Sequence, residues 1–243
     1  MTEPIIMRKF LALLLVVWST AACDELSSLV STVPAGGPPT SSEIASGLKE
    51  ALIIGAQNSV VETSAQNGFY GNPLIRIPFP PEAAKVAEKA RQFGFDKQVD
   101  QFVETMNHGA EQAAAKATPI FVDAVKSMTF NDVYEIWRGE EDAATQYLKE
   151  NTMAELKTEF RPVIREALEQ VEVTKYWSPL IDTYNQIPFV TKMNPDLESY
   201  VLQETLEGLF FTLAQEEAKI REDPAARVTD LLKRVFGYQD PGQ

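Results

Sequence analysis

Apolar residues recur at intervals of three and four along most of the chain, the spacing that places them on one face of an α-helix. One stripe begins with Ile44, Leu48 and Leu52, directly after the helix-capping residues Ser41 and Ser42. A later stripe ends before Pro224 and consists of Leu202, Leu206, Leu209, Leu213 and Ile220. The pattern predicts an all-α fold, a single-domain helical bundle that covers residues 43–243.

The middle of the chain continues this pattern and marks several helix ends. Pro81 can occupy the first turn of a helix that Gly94 terminates. The next stripe contains Pro119, which predicts a kink or a break; its apolar members are Val99, Phe102, Met106, Ala110, Ala113, Ala117, Ile120 and Ala124. Further helices are predicted at residues 131–139, from 140 onward, at 152–173, 177–187, from 194 onward and at 228–236.

Residues 67–80, NGFYGNPLIRIPFP, contain too much Gly and Pro for a helix. We predict a short extended loop here, or a strand at residues 74–77. The aromatic residues Phe69, Tyr70 and Phe79 favour a loop that covers the core of the bundle. The alternative is the lip of an apolar groove for a partner or ligand. The pair Phe210–Phe211 allows the same two interpretations, and the core is again favoured.

The N-terminus has the features of an export signal. Arg8 and Lys9 precede the apolar run of residues 10–18. A membrane-spanning helix needs about 20 apolar residues, so this run is too short to be one. We predict a lipoprotein signal peptide at residues 1–22.

Cys23 is the only cysteine of the chain and follows the small residues Thr20, Ala21 and Ala22. This arrangement resembles a bacterial lipobox, in which the thiol receives a diacylglycerol and the signal is cleaved before it. A single cysteine forms no intramolecular disulfide, whereas two or more acyl chains anchor a protein stably. We therefore expect lipidation at Cys23 and a location in the bacterial cell envelope, facing the periplasm. Asp24 favours the inner membrane if enterobacterial sorting rules apply; the alternative is a cysteine that merely flanks a secretory signal.

Residues 24–42 are rich in Gly, Pro, Ser and Thr, which account for 12 of these 19 positions. Such a segment cannot bury an apolar face, so residues 23–42 are predicted to be the lipidated cysteine and a flexible linker. The helical domain follows it.

The formal charge of −13 disfavours nucleic acids and anionic surfaces as partners unless a local basic patch overrides the total. The basic residues Lys157, Arg161 and Arg165 alternate with acidic residues along the sequence, so no basic patch is predicted. We expect no nucleic-acid partner and no cofactor.

The chain offers little nucleophilic chemistry, because His108 is its only histidine. Glu104, His108 and Glu111 are spaced so that they share one side of a helix, and they are the candidate metal ligands. The apolar stripe occupies the opposite side, so the trio is expected to face water, and a usable site would need ligands from another helix.

Other acidic residues have structural explanations. The run Glu140-Glu141-Asp142 lies at a predicted helix start, where acids interact favourably with the helix dipole. Glu217 and Arg221 are four residues apart and predict a surface ion pair. Motifs of phosphate loops, zinc proteases and EF-hands are absent from the sequence.

Five segments in order resemble the domain-of-unknown-function 4197 family (DUF4197), over residues 44 to about 237: GLKEALIIGAQNSV, NGFYGNPLIRIPFP, MNHGAEQAA, GEEDAATQYLKENT and DLESYVLQETLEGLFFTLAQEEAKIREDP. The resemblance implies a bacterial, exported, helical and often lipoprotein-like protein, and it supplies no catalytic residues. The family often has Arg-Ala where this chain has His108-Gly109, which weakens a catalytic role for His108.

The motif positions provide a candidate binding surface, although they could equally be the skeleton of the fold: Gly68, Phe69, Tyr70, Gly139, Thr145, Tyr200, Phe210, Glu217 and Arg221. Our hypothesis is a membrane-anchored envelope lipoprotein with a non-enzymatic binding or scaffold domain and a possible envelope protein partner. The alternatives are a carrier of an apolar ligand in a helical cavity and a carboxylate-metal hydrolase centred on Glu104, His108 and Glu111.

Overall fold

The computed structural model describes residues 37–170, 177–186, 188–189, 192–194 and 196–238. The predicted signal peptide, Cys23 and most of the predicted linker lie outside these residues. Within them the chain forms helices, turns and loops without a β-strand, which confirms the all-α prediction. The described residues from Pro39 onward belong to one compact unit.

The described helices are α1 (Ser41–Ser64), α2 (Ala84–Gln92), α3 (Asp96–Ala114), α4 (Ala117–Ser127), α5 (Phe130–Arg138), α6 (Ala143–Glu169), α7 (Trp177–Asn185), α8 (Leu197–Glu222) and α9 (Asp230–Gly237). Short 3-10 turns at Pro81–Ala83 and Pro224–Ala226 precede α2 and follow α8.

Helix α1 begins two residues before the predicted domain start. Its N-cap is Thr40, whose hydroxyl accepts a hydrogen bond from the Glu43 backbone N–H at 3.2 Å. The Glu43 carboxylate accepts one in return from the Thr40 N–H at 2.7 Å. This reciprocal pair is a capping box, so Ser41 and Ser42 are the first helical residues and not the caps.

The break predicted in the long stripe is present, and one other boundary differs from the predictions. The long stripe breaks at residues 115–116, and Pro119 lies in the first turn of α4, where its missing N–H leaves no intrahelical bond unmade. Helix α6 runs without interruption through Thr152, where a separate helix was predicted to start. The Thr152 hydroxyl donates to the Leu148 carbonyl at 2.6 Å. It therefore has its hydrogen-bond partner in the preceding turn of the same helix and does not cap a new one.

The core forms where the long helices meet. Helix α1 packs mainly on α8, α6 packs on α3 and α8, and α4, α5 and α9 pack against α1. Phe210 is 4% exposed and belongs to the core, whereas Phe211 is 42% exposed. The core interpretation thus holds for one of the two, because consecutive helical residues point about 100° apart. The largest fully buried apolar side chains include Phe69, Phe102, Phe121, Phe160, Phe236 and Met106.

Two cations fix helix ends by binding backbone carbonyls. The Lys49 ammonium of α1 donates to the Met128 carbonyl at 2.8 Å, just past the end of α4. The buried Arg227 guanidinium donates to the carbonyls of Ile220, at 3.1 Å, and Arg221, at 2.7 Å. Cations are favourable at the carbonyl end of a helix, so the last turn of α8 is held in place.

In the part of the chain that the structure describes, no helix combines the length and the apolar character needed to cross a membrane.

Candidate functional site

The segment between α1 and the first 3-10 turn, residues 65–80, is here called the wedge loop. Its Ile77 lies against the fully buried Asn107 of α3. The Asn107 side-chain oxygen accepts from the Ile77 N–H and its amide nitrogen donates to the Ile77 carbonyl, each at 2.8 Å. Asn107 thus makes the two hydrogen bonds that a neighbouring strand would make. The segment at residues 74–77 is a loop and not a strand.

A second residue of α3 holds the start of the wedge loop. The Glu111 carboxylate is 5% exposed, and its Oε1 accepts the N–H groups of Phe69 and Tyr70, both at 3.1 Å. Backbone N–H groups are strong partners for a carboxylate. Glu111 therefore faces the loop and not water, contrary to the prediction for this face of α3.

Helix α8 closes the other side of the wedge loop. A Cβ added to Gly208 would lie 2.6 Å from the Phe69 ring, so only glycine allows this close approach. The Tyr200 hydroxyl donates to the Pro78 carbonyl at 3.2 Å, and burial raises the pKa of Tyr200. The loop is thus wedged between α3 and α8, and the fully buried Phe69 supports the interpretation that it covers the core.

The three candidate metal ligands each have different surroundings and contacts. Glu104 is exposed, and Glu111 is occupied by the wedge loop. The His108 Nε2 lies 3.9 Å from Glu111 Oε2, and the His108 ring packs edge-on against Tyr70. The described residues contain no group of three His, Cys, Asp or Glu that could hold a metal ion.

A buried carboxylate also holds the N-terminus of α6. Glu217 of α8 accepts the N–H groups of Ala144, at 3.1 Å, and Thr145, at 2.8 Å, and the Thr145 hydroxyl at 2.8 Å. The first N–H groups of a helix have no partner within it. Glu217 therefore caps α6 from another helix.

Arg221 completes this arrangement by balancing the charge of Glu217. Its Nε and Nη2 donate to Glu217 Oε1 at 3.0 and 2.8 Å, and Nη2 also donates to the Ile136 carbonyl at 3.2 Å. The two side chains are 14% and 6% exposed, so the predicted surface ion pair is a buried one. It joins the end of α5 to the start of α6.

The nine positions proposed as a binding surface do not form one surface. Four of them are buried: Phe69, Thr145, Phe210 and Glu217. Gly139 closes α5, because its N–H donates to the Ile136 carbonyl at 3.1 Å. Most of these positions belong to the framework that positions the wedge loop and the start of α6, whereas Phe210 belongs to the core between the helices.

A cavity lies beside the Glu217–Arg221 pair, with walls from α1, α6, α8 and α9. The space open to the centre of a water molecule is about 20 Å³, which is sufficient for about one water. An acyl chain does not fit into it.

A larger concavity lies between α6 and α8, with a volume of about 310 Å³ for water centres. Its apolar floor consists of Met153, Leu202, Leu206 and Phe210. Lys149, Lys157 and Arg161 line its α6 side, and the adjoining recess of about 280 Å³ adds Arg165. We call Lys149, Lys157, Arg161 and Arg165 the basic row, and the whole concavity the groove.

The basic row contradicts the prediction that this helix carries no basic patch. Positions two apart on a helix lie about 200° apart around its axis. Lys157 and Glu155 therefore lie on opposite flanks of α6, and so do Arg161 and Glu159. Charges that alternate in the sequence are separated in space, and the groove receives the basic flank.

The far end of the basic row is fixed by Glu198 of α8. The Glu198 carboxylate accepts from Arg161 Nη1 at 2.8 Å and from Arg165 Nε at 2.7 Å. The Arg165 hydrogen bond, opposed by desolvation and aided by Arg161, holds the pKa of Glu198 below its usual value. In the described part of the chain, Lys149 and Lys157 have no ion-pair partner.

Sequence reasoning missed Asn107, Glu198 and the role of Glu111. A signal for Asn107 is present, since this polar amide interrupts the apolar positions Val103, Met106 and Ala110 of one helical stripe. Glu198 has no such signal, because its partners are more than thirty positions away along the chain.

The molecule is therefore an all-helical domain with a buried polar framework and a basic-edged groove between two long helices. The family model for proteins of unknown function designated DUF4197 matches residues 38–237. The chain belongs to this family, in agreement with the resemblance seen in its motifs. Comparisons with curated proteins and with solved structures found no match.

Proposed function

We propose that the protein is a lipid-anchored protein of the bacterial cell envelope whose helical domain is a non-enzymatic binding module. The anchor is supported by the lipobox-like sequence at Cys23 and by the linker composition that follows it. The binding role is supported by the groove.

One observation carries the binding role: a chain with 35 acidic and 22 basic residues concentrates four cations along one groove. Glu207 is the carboxylate among the described lining residues, and Glu198 pairs with Arg161 and Arg165, so positive charge is in excess there. Concave sites with an apolar floor and a few polar groups are typical of ligand binding. The buried carboxylates Glu111 and Glu217, in contrast, already bind backbone N–H groups.

The alternatives have less support in the described residues. A carrier that encloses an apolar ligand needs more space than the cavity of about 20 Å³ provides. A hydrolase centred on Glu104, His108 and Glu111 needs a free Glu111, whose carboxylate instead holds the wedge loop.

Photo-crosslinking in living cells tests the binding role. A photoreactive amino acid at Gln203, in the groove, should capture a reproducible envelope component, whereas the same probe at Glu155, on the opposite flank of α6, should not. Equal capture at both positions, or none at Gln203, would contradict the proposal. The anchor is tested separately, because Cys23→Ala should abolish fatty-acid labelling and release the protein from membranes.

A further inference from the structure

We propose that the groove binds a single-chain anionic amphiphile, with a carboxylate or phosphate head on the basic row and an acyl chain on the apolar floor. This inference rests on the proposed binding function and names its ligand class. It differs from the enclosed-carrier alternative, since the chain would lie in an open groove.

The geometry of the two helices defines the groove. Arg161 of α6 contacts Glu198 near the start of α8, and Thr145 near the start of α6 contacts Glu217 near the end of α8. The helices are therefore antiparallel, and the groove follows their shared length. Its volume of about 310 Å³ lies at the lower end of small-molecule sites, which span about 300–1,000 Å³.

The basic row suits an anionic head. Lys157 is exposed and has no ion-pair partner among the described residues, so its ammonium is available to a ligand. Arg161 lies one turn further along α6, with its guanidinium held in place by Glu198. Lysine and arginine bind carboxylates and phosphates through charge-assisted hydrogen bonds. A head group between Lys157 and Arg161 would contact both.

The floor suits a chain. Leu202, Leu206 and Phe210 follow one another at intervals of one turn, which gives an apolar track of about 12 Å along α8. These side chains belong to the core and are 3%, 2% and 4% exposed, so the track presents only their outer edges. Met153 faces this track from α6, and methionine adapts its shape to a flexible apolar partner. A chain would contact the half-buried Met153, the outer edges of these residues and the apolar stems of Lys149 and Lys157, whose ammonium groups remain available to the head.

Calorimetric titration of the full chain tests the inference, with Cys23→Ala introduced so that no anchor lipid is attached. The probes are dodecyl phosphate and dodecanoate below their micelle concentrations, with dodecyltrimethylammonium and inorganic phosphate as controls. We expect saturable binding of at least one anionic amphiphile, and the comparison of the two identifies the preferred head. The cationic amphiphile and free phosphate should each bind at least about tenfold more weakly.

Variants locate the site. Lys157→Glu should weaken binding by about tenfold or more, because it reverses a charge on an exposed side chain. Lys85→Glu is the matched control, an exposed lysine of α2 away from the groove, and should leave the affinity within about twofold. Met153→Asp, at the half-buried floor position, should weaken binding of the amphiphile, and circular dichroism checks that both groove variants are folded.

Three results would overturn the inference: no saturable binding of either anion, equal binding of the cationic amphiphile, or an unchanged affinity in folded Lys157→Glu. Its failure is distinguishable from failure of the proposed function. If the probe at Gln203 still captures an envelope component while neither anion binds, the ligand class is wrong and the binding function stands. If both experiments are negative, both proposals fall.

Discussion

Asn107 and Glu111 lie one turn apart on the same face of α3, and each binds the backbone of the wedge loop through its side chain. Asn107 satisfies both backbone groups of Ile77, and Glu111 satisfies two consecutive N–H groups. A loop without secondary structure has few internal partners for its backbone groups, and burying such groups unpaired is costly. These two side chains therefore make it possible to bury part of a loop, including Phe69 and Ile77, in a helical domain.

Asn107→Ala should destabilise the domain, since both polar groups of Ile77 lose their partner while they remain buried. We expect a loss of about 2–3 kcal/mol in the free energy of unfolding, measured by urea denaturation. Hydrogen exchange at the Ile77 amide should also accelerate. Asn151→Ala, at an exposed position of α6, is the control and should change stability by less than about 0.5 kcal/mol. Equal stability of the two variants would contradict the assignment.

Glu217→Ala should be among the most damaging single changes, because it leaves two buried N–H groups without their acceptor and the Arg221 guanidinium without its carboxylate partner. Removing one partner of a buried ion pair typically costs about 3–5 kcal/mol. The double variant Glu217→Ala/Arg221→Ala should lose less than the sum of the single losses, which a double-mutant cycle measures. Additive losses would mean that the pair is not coupled. Glu222→Ala, at an exposed position of the same helix, should be close to neutral.

Gly208→Ala should destabilise the domain by about 1–3 kcal/mol, the usual cost of overpacking. The added Cβ would lie 2.6 Å from the Phe69 ring and 3.1 Å from Ile75 Cβ. Gly55→Ala is the matched control, since its Cβ would lie 3.7 Å from its nearest neighbours, an ordinary contact. Because alanine also favours helix, Gly55→Ala should be neutral or stabilising by up to about 1 kcal/mol. The midpoint of thermal denaturation should therefore fall for Gly208→Ala and stay unchanged or rise for Gly55→Ala.

Glu198→Gln should lower stability at neutral pH but not in acid. The folded-state pKa of Glu198 is depressed below the ordinary value of 4.5, chiefly by Arg165. Its contribution is therefore present above pH 4.5 and disappears as the pH falls through the folded-state pKa. The arginines are 43% and 56% exposed, so solvent screening limits the effect to about 1 kcal/mol.

Urea denaturation of wild type and Glu198→Gln at pH 7 and near pH 3 measures this effect. Despite desolvation, the pKa of Asp196 is also lowered, in part by Arg161, so the comparison must be made between the two proteins at each pH. A difference that persists in acid would show that the carboxylate charge is not its cause. If the groove binds an anion, the same variant should bind it more tightly at pH 7, because Arg161 and Arg165 lose a competing carboxylate.

Local signals in the sequence predict the helices well and their partners poorly. The four-residue spacing of Leu48 and Leu52 identifies a buried helix face, and both are buried in α1. The same spacing joins Glu217 to Arg221, and it predicts a pair but not its burial. That burial comes from the N-terminus of α6, which is more than seventy positions away along the chain.

The surface charge of the groove is likewise only partly predictable from the sequence. The alternation of Lys157 and Arg161 with Glu155 and Glu159 suggests mixed charge when it is read as a string. Helical geometry assigns the two signs to opposite flanks, and the approach of α8 decides which flank lines a concavity. The first step follows from the helix prediction itself, whereas the second requires the tertiary structure.

The separation of charge across α6 also gives this helix a transverse electric moment that the net charge of the chain conceals. A charged surface exerts a force on a body through its net charge and a torque through such a moment. An anionic surface would therefore repel this chain of formal charge −13 as a whole, while its torque on α6 would favour turning the basic flank of that helix toward the surface. The charge separation across α6 thus acts on orientation near such a surface, whereas the net charge of the chain acts on attraction or repulsion.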